Sequence, residues 1–518
     1  MRGGWYSQKV HSGHFRWSTS APVSKRATTY IPPLERPLGA RTHQRDLYTL
    51  LRAAILDRRL RPGSRIPSTR DLAREYGVAR GTVVAVYGQL VSEGYLTATV
   101  GAGTRVSETV PDELLSRGLP AQPRSATTSR EPPPPALARR GQQYTDSPFP
   151  LRPAAAVSQA FVAHRPALDA FPVKLWSRVA ASRLRRLSGA ALADGDPLGD
   201  ARLRRVIAAY LGSARGVRCE ADQVFIVSGV QQALELVARL VVDPGDAVWV
   251  EDPGYPGSSR ILQASGAVTC PVPVDAEGLR VSVGEDRAPR ARLACVTPAH
   301  QAPLGVAMSL ARRLALLDWA RRSRAWVFED DYDSEYRYAS KPLPALQGLD
   351  THGCVLHAGS FSKTLFPALR LGYLVVPSSI VDRVAKARSL MDRYPGILPQ
   401  AVLADFIEDG HYARHLRRMR ELYAERRDAL SRSVAARLSG ALVLPEGGAG
   451  LDTVGWLEKG LQARTVVAAA GEHRVLLEPL DRYLLRERLP QGVLLGFASL
   501  STRQIALGVE RLARALMA

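Results

Sequence analysis

Six short, continuously apolar runs alternate with helical patterns from about residue 168 onward, and this constrains the chain more than any other feature. They are QVFIV (223–227), AVWVED (247–252), RLACVTP (292–298), AWVFEDD (325–331), VLHAGS (355–360) and GYLVVP (372–377). A strand with no polar face must be covered on both sides, which is what helices do to a mostly parallel sheet. The pattern therefore predicts a large α/β domain, placed at 151–518, with no internal repeat.

The rest of the chain reads differently. Residues 41–107 have the density of a small compact module, whereas 108–150 turn irregular and hold four consecutive prolines at 132–135. Proline fixes φ and donates no hydrogen bond, so this stretch is expected to be an extended, semi-rigid spacer. Residues 1–40 have no apolar centre for a signal peptide and read as a disordered extension. Four cysteines (219, 270, 295, 354) without C-x-x-C spacing disfavour a disulfide scaffold or zinc ribbon and suit a reducing, cytoplasmic setting. No apolar run approaches the ~20 residues of a membrane helix.

Charge is segregated. Of a net +21, residues 1–107 supply +11, from 17 Lys and Arg against 6 Asp and Glu. Concentrated basic charge is the footprint of a surface that meets a polyanion. Within 41–107, LYTLLRAAILDRRL (47–60) has helical spacing and stops at Arg61-Pro62-Gly63. Ser68 can cap a second helix, with Asp71 three residues on and Gly77 ending it. Gly77-Val78-Ala79 then turns into ARGTVVAVYGQLVSEG, and YLTATVGAGTRVS forms two strands with a glycine tip. Helix, turn, helix and wing make a winged helix-turn-helix.

The second helix of such a pair enters the major groove by its N-terminus, here Arg80, Gly81 and Thr82. Ser68, Thr69 and Arg70 can meet phosphate, and the tip glycines Gly101 and Gly103 permit close approach to the duplex. The alternative is a winged helix that docks only protein, which the local charge and Arg80 oppose. PGSRIPSTRDLAREYGVARGTVVAVYGQLVSEGYLTATVGAGTRV (62–106) resembles the DNA-binding domain of the GntR family of bacterial regulators. That family usually has serine where this chain has Ala79, so one phosphate contact is missing.

The chain has only seven lysines against 63 arginines, which sharpens any search for lysine chemistry. Lys363, in AGSFSKTLFPALRLG, alone has a suggestive setting, with Ser360 and Ser362 beside it and Arg370 seven residues on. Hydroxyls and an arginine can anchor the phosphate of an aldehyde cofactor next to an amine. An electron-withdrawing pyridine ring also needs a carboxylate, and AWVFEDDYDSEY offers Asp330 at a strand end. A calcium loop over Asp331, Asp333 and Glu335 lacks the glycine and glutamate it requires, so no metal is expected. Ser228-Gly229 opens a helix that can hold phosphate, and Tyr255 in VEDPGYPG offers a stacking ring.

In that order these pieces resemble the fold type I aminotransferases, over roughly 165–515. With the winged head, the whole chain resembles the MocR subfamily of GntR regulators: a small winged helix-turn-helix joined to a large α/β domain that binds pyridoxal 5′-phosphate. The resemblance implies a Schiff base at Lys363 and a ring-nitrogen partner at Asp330, with Asp331 as fallback. It places Tyr332 near the ring hydroxyl, Tyr255 on the ring face, and Gly229, Val230, Ser360, Ser362 and Arg370 at the phosphate. It also implies a homodimer bound to double-stranded promoter DNA.

Departures from the enzymes carry information. Where aminotransferases have Asn-Pro-x-Gly, VTPAHQAPLG has Ala302, so His300 or Gln301 would have to serve the ring oxygen. The expected carboxylate-binding arginine near the C-terminus is replaced by Leu494, and a second arginine site holds Gly257. A buried carboxylate without a guanidinium costs roughly several kcal/mol. The expected effector is therefore pyridoxal phosphate itself or an amine without a carboxylate. A working aminotransferase with a DNA-binding appendage and a non-sensing dimer scaffold are the competing readings. His411 and His415 share a helical face without a third ligand, and YARHLRRMRELYAERR reads as a solvated basic helix, with contact to DNA flanking the site as the alternative.

Overall fold

The computed structural model describes residues 43–99, 103–112, 135–149, 160–189, 193–338, 344–447 and 449–517. Contacts divide the chain into two compact units, Met1–Pro133 and Pro134–Ala518.

In the first unit, α1 (His43–Leu56), α2 (Thr69–Tyr76) and α3 (Arg80–Ser92) are followed by β1 (Leu96–Thr99) and β2 (Gly103–Val106). The expected first helix starts four residues earlier than its apolar pattern and ends four residues sooner, at Leu56. Val83, Val86, Tyr87 and Leu90, at helical spacing on α3, bury against Leu47, Leu51, Ala54 and Ile55 of α1. Ser68 caps α2 by accepting from the Asp71 amide at 3.2 Å, and Gly77 closes it in the left-handed region at φ 63°. The wing is an antiparallel pair in which Leu96 faces Val106.

The second unit is built on an eight-stranded sheet. Its strands are β3 (Val224–Val227), β4 (Ala247–Asp252), β5 (Val268–Asp275), β6 (Gly278–Leu279), β7 (Leu293–Val296), β8 (Trp326–Asp331), β9 (Val355–Ser360) and β10 (Gly372–Val375), in the order β3-β10-β9-β8-β7-β4-β5-β6. β5, β4, β7, β8 and β9 run parallel; β10 is antiparallel to both β9 and β3. Burial is complete along β3, β7 and β10, as their unbroken apolar character requires. A four-stranded antiparallel sheet follows, from β11 (Leu442–Val443), β12 (Asp452–Leu457), β13 (Glu478–Pro479) and β14 (Gly492–Gly496), ordered β11-β12-β14-β13.

Two expectations need correction. The proline-rich stretch is not extended throughout, because a helix spans Arg139–Thr145 and belongs to the second unit. Arg140 reaches the carbonyls of Ala264 and Ser265 there, so a tertiary contact supplies what local sequence does not. The basic helix, observed as His411–Arg437, is not simply a solvated face. Arg426 and Arg427 are buried and donate to the carbonyls of Ala498 and Pro445. Residues 1–40 lie outside the described residues.

Candidate functional site

Parallel strands deliver their C-terminal ends to one edge, where α/β ligand sites form. The ends of β3, β4, β8 and β9 surround a cavity of about 350 Å³ whose lining includes Gly229, Val230, Tyr255, Asp330, Tyr332, Ser360, Ser362, Lys363 and Arg370. Residues expected at the site from motifs nearly 150 apart in sequence thus meet in one place. Gly372 makes part of this possible. It pairs with both Val227 and Ser360, and a Cβ there would lie 2.6 Å from the Gly359 carbonyl oxygen and 3.1 Å from the Gly229 Cα. Only a glycine lets the two loops approach so closely.

One end of the cavity suits an anion. Gly229, at φ 144°, caps the helix Val230–Val241, whose first amides point outward, and the Arg370 guanidinium lies 3.7 Å from where a Gly229 Cβ would stand. Ser360 caps the short helix Phe361–Thr364 by accepting from the Ser362 amide at 3.1 Å. That helix carries Lys363 and is pinned from behind, since His415 Nε2 and the Tyr336 hydroxyl both reach the Thr364 carbonyl. His415 thus has a packing role, and His411 sits instead with Arg414.

The acidic run separates by strand alternation. Glu329 and Asp331 face one side, where Glu329 accepts from the amides of Leu346 and Gln347 and from His357, and Asp331 accepts from Arg215 at 2.9 Å. Asp330 faces the other side and enters the cavity, so Asp331, the fallback partner, is turned away. Asp330 Oδ1 is buried without a hydrogen-bond partner; Asp331 Oδ1 is too, but on the side facing away from the cavity. Burial, with Asp331 and Glu251 nearby, pushes the Asp330 carboxyl well above the ordinary range. Burial likewise draws the Lys363 ammonium down, although Asp452, Asp333 and Asp330 oppose it. Asp333 pairs with His300 and Glu335 with Tyr210, so the carboxylates of this run diverge to separate partners.

His300 and Gln301 do not line the cavity. His300 Nδ1 lies 2.9 Å from Asp333 and 3.2 Å from the Tyr332 hydroxyl, so it acts behind Tyr332. Burial lowers its pKa but Asp333 more than compensates, leaving it raised. Gln301 is spent on Glu251 and the carbonyls of Pro253 and Ala302. Leu494 is buried against Ala163, Val454, Leu480 and Tyr483. Gly257 lies beneath the Tyr255 ring, where a Cβ would come within 2.5 Å of it. An arginine there would displace the very ring expected to stack.

Sequence reasoning missed His164 and Phe149. Both line the cavity. The His164 carbonyl accepts from Lys363 Nζ at 2.9 Å, while its ring is held by Asp452 at 2.7 Å and by the Tyr483 hydroxyl at 3.0 Å. Asp452 stays below the usual carboxylate range because His164, and more weakly Lys363, outweigh its burial. No local motif marks His164, since its partners lie 199, 288 and 319 residues away.

On the first unit, Arg70 and Arg80 are exposed, Ser68 is exposed at the α2 cap, and Thr69 and Thr82 are half-buried. Gly103 turns the wing at φ 86°, close enough to Arg65 that a Cβ would clash. Gly101 lies outside the described residues. Val84, 48% exposed on the face of α3 that also carries Arg80, was not singled out from sequence.

Two families match this arrangement: the gntR family of bacterial regulatory proteins over residues 43–106, and aminotransferase class I and II over 176–451. Over 493 residues the chain is 38% identical to the probable rhizopine catabolism regulatory protein MocR of Rhizobium meliloti, covering 94% of this chain and 96% of that one. The chain belongs to the MocR-type regulators of the GntR family. This MocR-type chain is also 33% identical over 489 residues to the HTH-type transcriptional regulator TauR of Rhodobacter capsulatus, covering 93% and 98%. It is 34% identical over 373 residues to the pyridoxine biosynthesis regulator PdxR of Corynebacterium glutamicum, covering 71% and 73%. Among solved structures, a kynurenine aminotransferase of Pyrococcus horikoshii with PMP superposes with TM-score 0.64 at 25% identity, covering 70% of this chain and 91% of that one. LysN of Thermus thermophilus, complexed with N-(5′-phosphopyridoxyl)-L-leucine, gives 0.64 at 28%, covering 69% and 92%. The MocR-type chain is thus a winged-helix transcriptional regulator with a fold type I aminotransferase domain. The cavity fits pyridoxal 5′-phosphate, with an anion cradle at one end and the partnerless Asp330 oxygen within. Among the described residues no helix is long and apolar enough to cross a membrane.

Proposed function

We propose that this regulator binds promoter DNA through α3 and the wing, and senses pyridoxal 5′-phosphate or an amine without a carboxylate by covalent attachment at Lys363. The observation that carries the reading is the shared cavity, with a desolvated amine at Lys363, a partnerless carboxylate oxygen at Asp330, and the Gly229–Arg370 cradle. Pyridoxal phosphate, when bound, supplies an aldehyde that condenses with amines and a ring that withdraws electrons. This chain's residues do the rest. Arg370, Ser360, Ser362 and the amide of Val230 would hold the phosphate, and Tyr255 would cover the ring. Asp330 would hold a proton on the ring nitrogen, a bond between charges that burial strengthens. Lys363 must be neutral to add to an aldehyde, which its burial favours. Tyr332, backed by His300 and Asp333, would meet the ring hydroxyl.

On the DNA side, Arg80 and Thr82 would meet base edges, Val84 would meet an apolar base group, and Ser68, Thr69, Arg70 and the tip glycines would meet the backbone. The protein would act as a homodimer whose heads fit two half-sites in only one of two arrangements. A ligand shifts that balance only by binding one arrangement better. A working aminotransferase remains the second reading, because Lys363 and Asp330 would serve a half-reaction equally well.

The test is anisotropy of full-length protein on the DNA upstream of its own gene and of divergent neighbours, at fixed salt, with and without pyridoxal phosphate. A cofactor-dependent affinity that Lys363→Ala abolishes supports the sensor. Specific binding that ignores the cofactor makes it a fixed prosthetic group with an amine as signal. Absence of specific binding favours the enzyme.

A further inference from the structure

Residues 135–149 form the part of the second unit nearest in sequence to the DNA-binding head. The helix Arg139–Thr145 has no buried residue. It is fastened to the domain by polar contacts that are long or exposed. Arg140 reaches the Ala264 and Ser265 carbonyls at 3.4 and 3.5 Å, the Tyr144 hydroxyl reaches Glu235 at 3.3 Å, and Asp146 lies 3.7 Å from Arg260. Contacts of this kind contribute little individually. Arg482 also donates to the Pro148 carbonyl. A contact of another sort is made by Phe149. The Phe149 ring lies 6.1 Å from that of Tyr255, tilted by 41°, and lines the same cavity as Lys363, Asp330 and Arg370.

Three points of this stretch, Arg140, Asp146 and Phe149, engage one rigid element. Tyr255 is the N-cap of the helix Pro256–Ala264, while Arg140 binds the carbonyls at that helix's C-terminus and Asp146 meets Arg260 within it. Phe149 is 38% exposed and so still has apolar surface to bury. An occupant of the cavity that covers this ring, or fixes the Tyr255 ring against it, stabilises the docked stretch over the released one. Most of the polar fastenings are long or exposed, so an aromatic contact of this size adds appreciably to the docked state.

We infer that Phe149 is a ligand-contact residue of the effector cavity, and that residues 135–149 carry its occupancy toward the DNA-binding head. The inference rests on the cofactor reading above. Ligand and linker then communicate by direct touch.

Hydrogen exchange on the full-length protein tests this, with pyridoxal phosphate as the probe and its visible absorbance recorded in parallel. In the wild-type chain the cofactor should slow amide exchange across 139–145 by about two- to twelvefold, equivalent to the ~0.5–1.5 kcal/mol of an aromatic pair. Phe149→Ala should need up to about twelvefold more cofactor to develop the visible absorbance, by reciprocity of the same contact, and once saturated should still lose the slowing, with a DNA affinity that no longer responds to cofactor. Phe149→Tyr should restore both. Unchanged exchange in a wild-type chain that has gained the absorbance overturns the inference, as does a Phe149→Ala chain that responds fully. If no absorbance develops in the wild type, the cofactor reading falls and takes the inference with it; the spectrum separates that result from the others.

Discussion

Asp330→Asn should separate two quantities that most site mutations move together. In the ligand-free protein the Asp330 carboxyl is buried beside Asp331 and Glu251, with one oxygen lacking any partner. Its pKa is raised, so the folded chain keeps a proton that the unfolded chain releases above about pH 4. The folded state then binds more protons than the unfolded one, and this residue's contribution to stability declines as pH rises from about 4 through the raised value. Asparagine has no such titration. The variant should therefore gain on the wild type as pH rises, starting from near equality in mild acid. Cofactor affinity should move the other way. A charge-assisted hydrogen bond to the ring nitrogen is worth ~1.5–3 kcal/mol, so pyridoxal phosphate should bind about 10- to 150-fold more weakly. Thermal unfolding of cofactor-free protein across a pH series gives the first quantity, and absorbance titration gives the second. Parallel stability–pH curves, or unchanged affinity, would refute the assignment of Asp330.

Other outcomes follow from the same geometry. Lys363→Ala should abolish the visible absorbance of the bound cofactor, while a fragment spanning the winged head still binds DNA; loss of both would mean that the units are not separable. Arg80→Ala should cost ~1–3 kcal/mol at one operator position and relax specificity there, measured on a panel of single-base variants. Arg70→Ala should weaken all sequences alike and reduce the slope of affinity against salt by about one. His415, lowered by burial to about 4, stays neutral where the unfolded chain is protonated. Stability should consequently fall as pH drops from about 6.5 toward 4, and His415→Gln should flatten that part of the curve in acid unfolding.

What could be read from sequence was what is fixed locally. The strand runs from QVFIV to GYLVVP announced themselves because a strand covered on both faces has nowhere to put polar residues. Ser68 and Gly77 bounded α2 because capping is a short-range matter of one side chain and one φ angle. The helix Arg139–Thr145 escaped notice because it lacks an apolar stripe and its partners lie more than 90 residues away, on Glu235, Ala264 and Ser265. His164 escaped for the same reason. His300 was expected at the ring, but a buried imidazole beside Asp333 takes the nearer carboxylate, and the sequence holds no measure of that competition. The basic helix misled because arginines that donate to buried carbonyls look, in one dimension, like arginines in water.

The position of β10 has a consequence for how the protein is made. The phosphate loop after β3 and the lysine turn after β9 are joined laterally only by β10, which follows both in the chain and inserts between them. Until Gly372–Val375 is in place, β3 has no neighbour in the sheet and the two halves of the cradle have no fixed distance. Arg370 arrives with the same stretch, and Asp452 later still. If these residues hold the cofactor as proposed, well over two-thirds of the chain must be made before the site can form. On the cofactor reading, pyridoxal phosphate would then select finished domains rather than template their assembly, whereas the strands of the winged head are complete by Val106, hundreds of residues earlier.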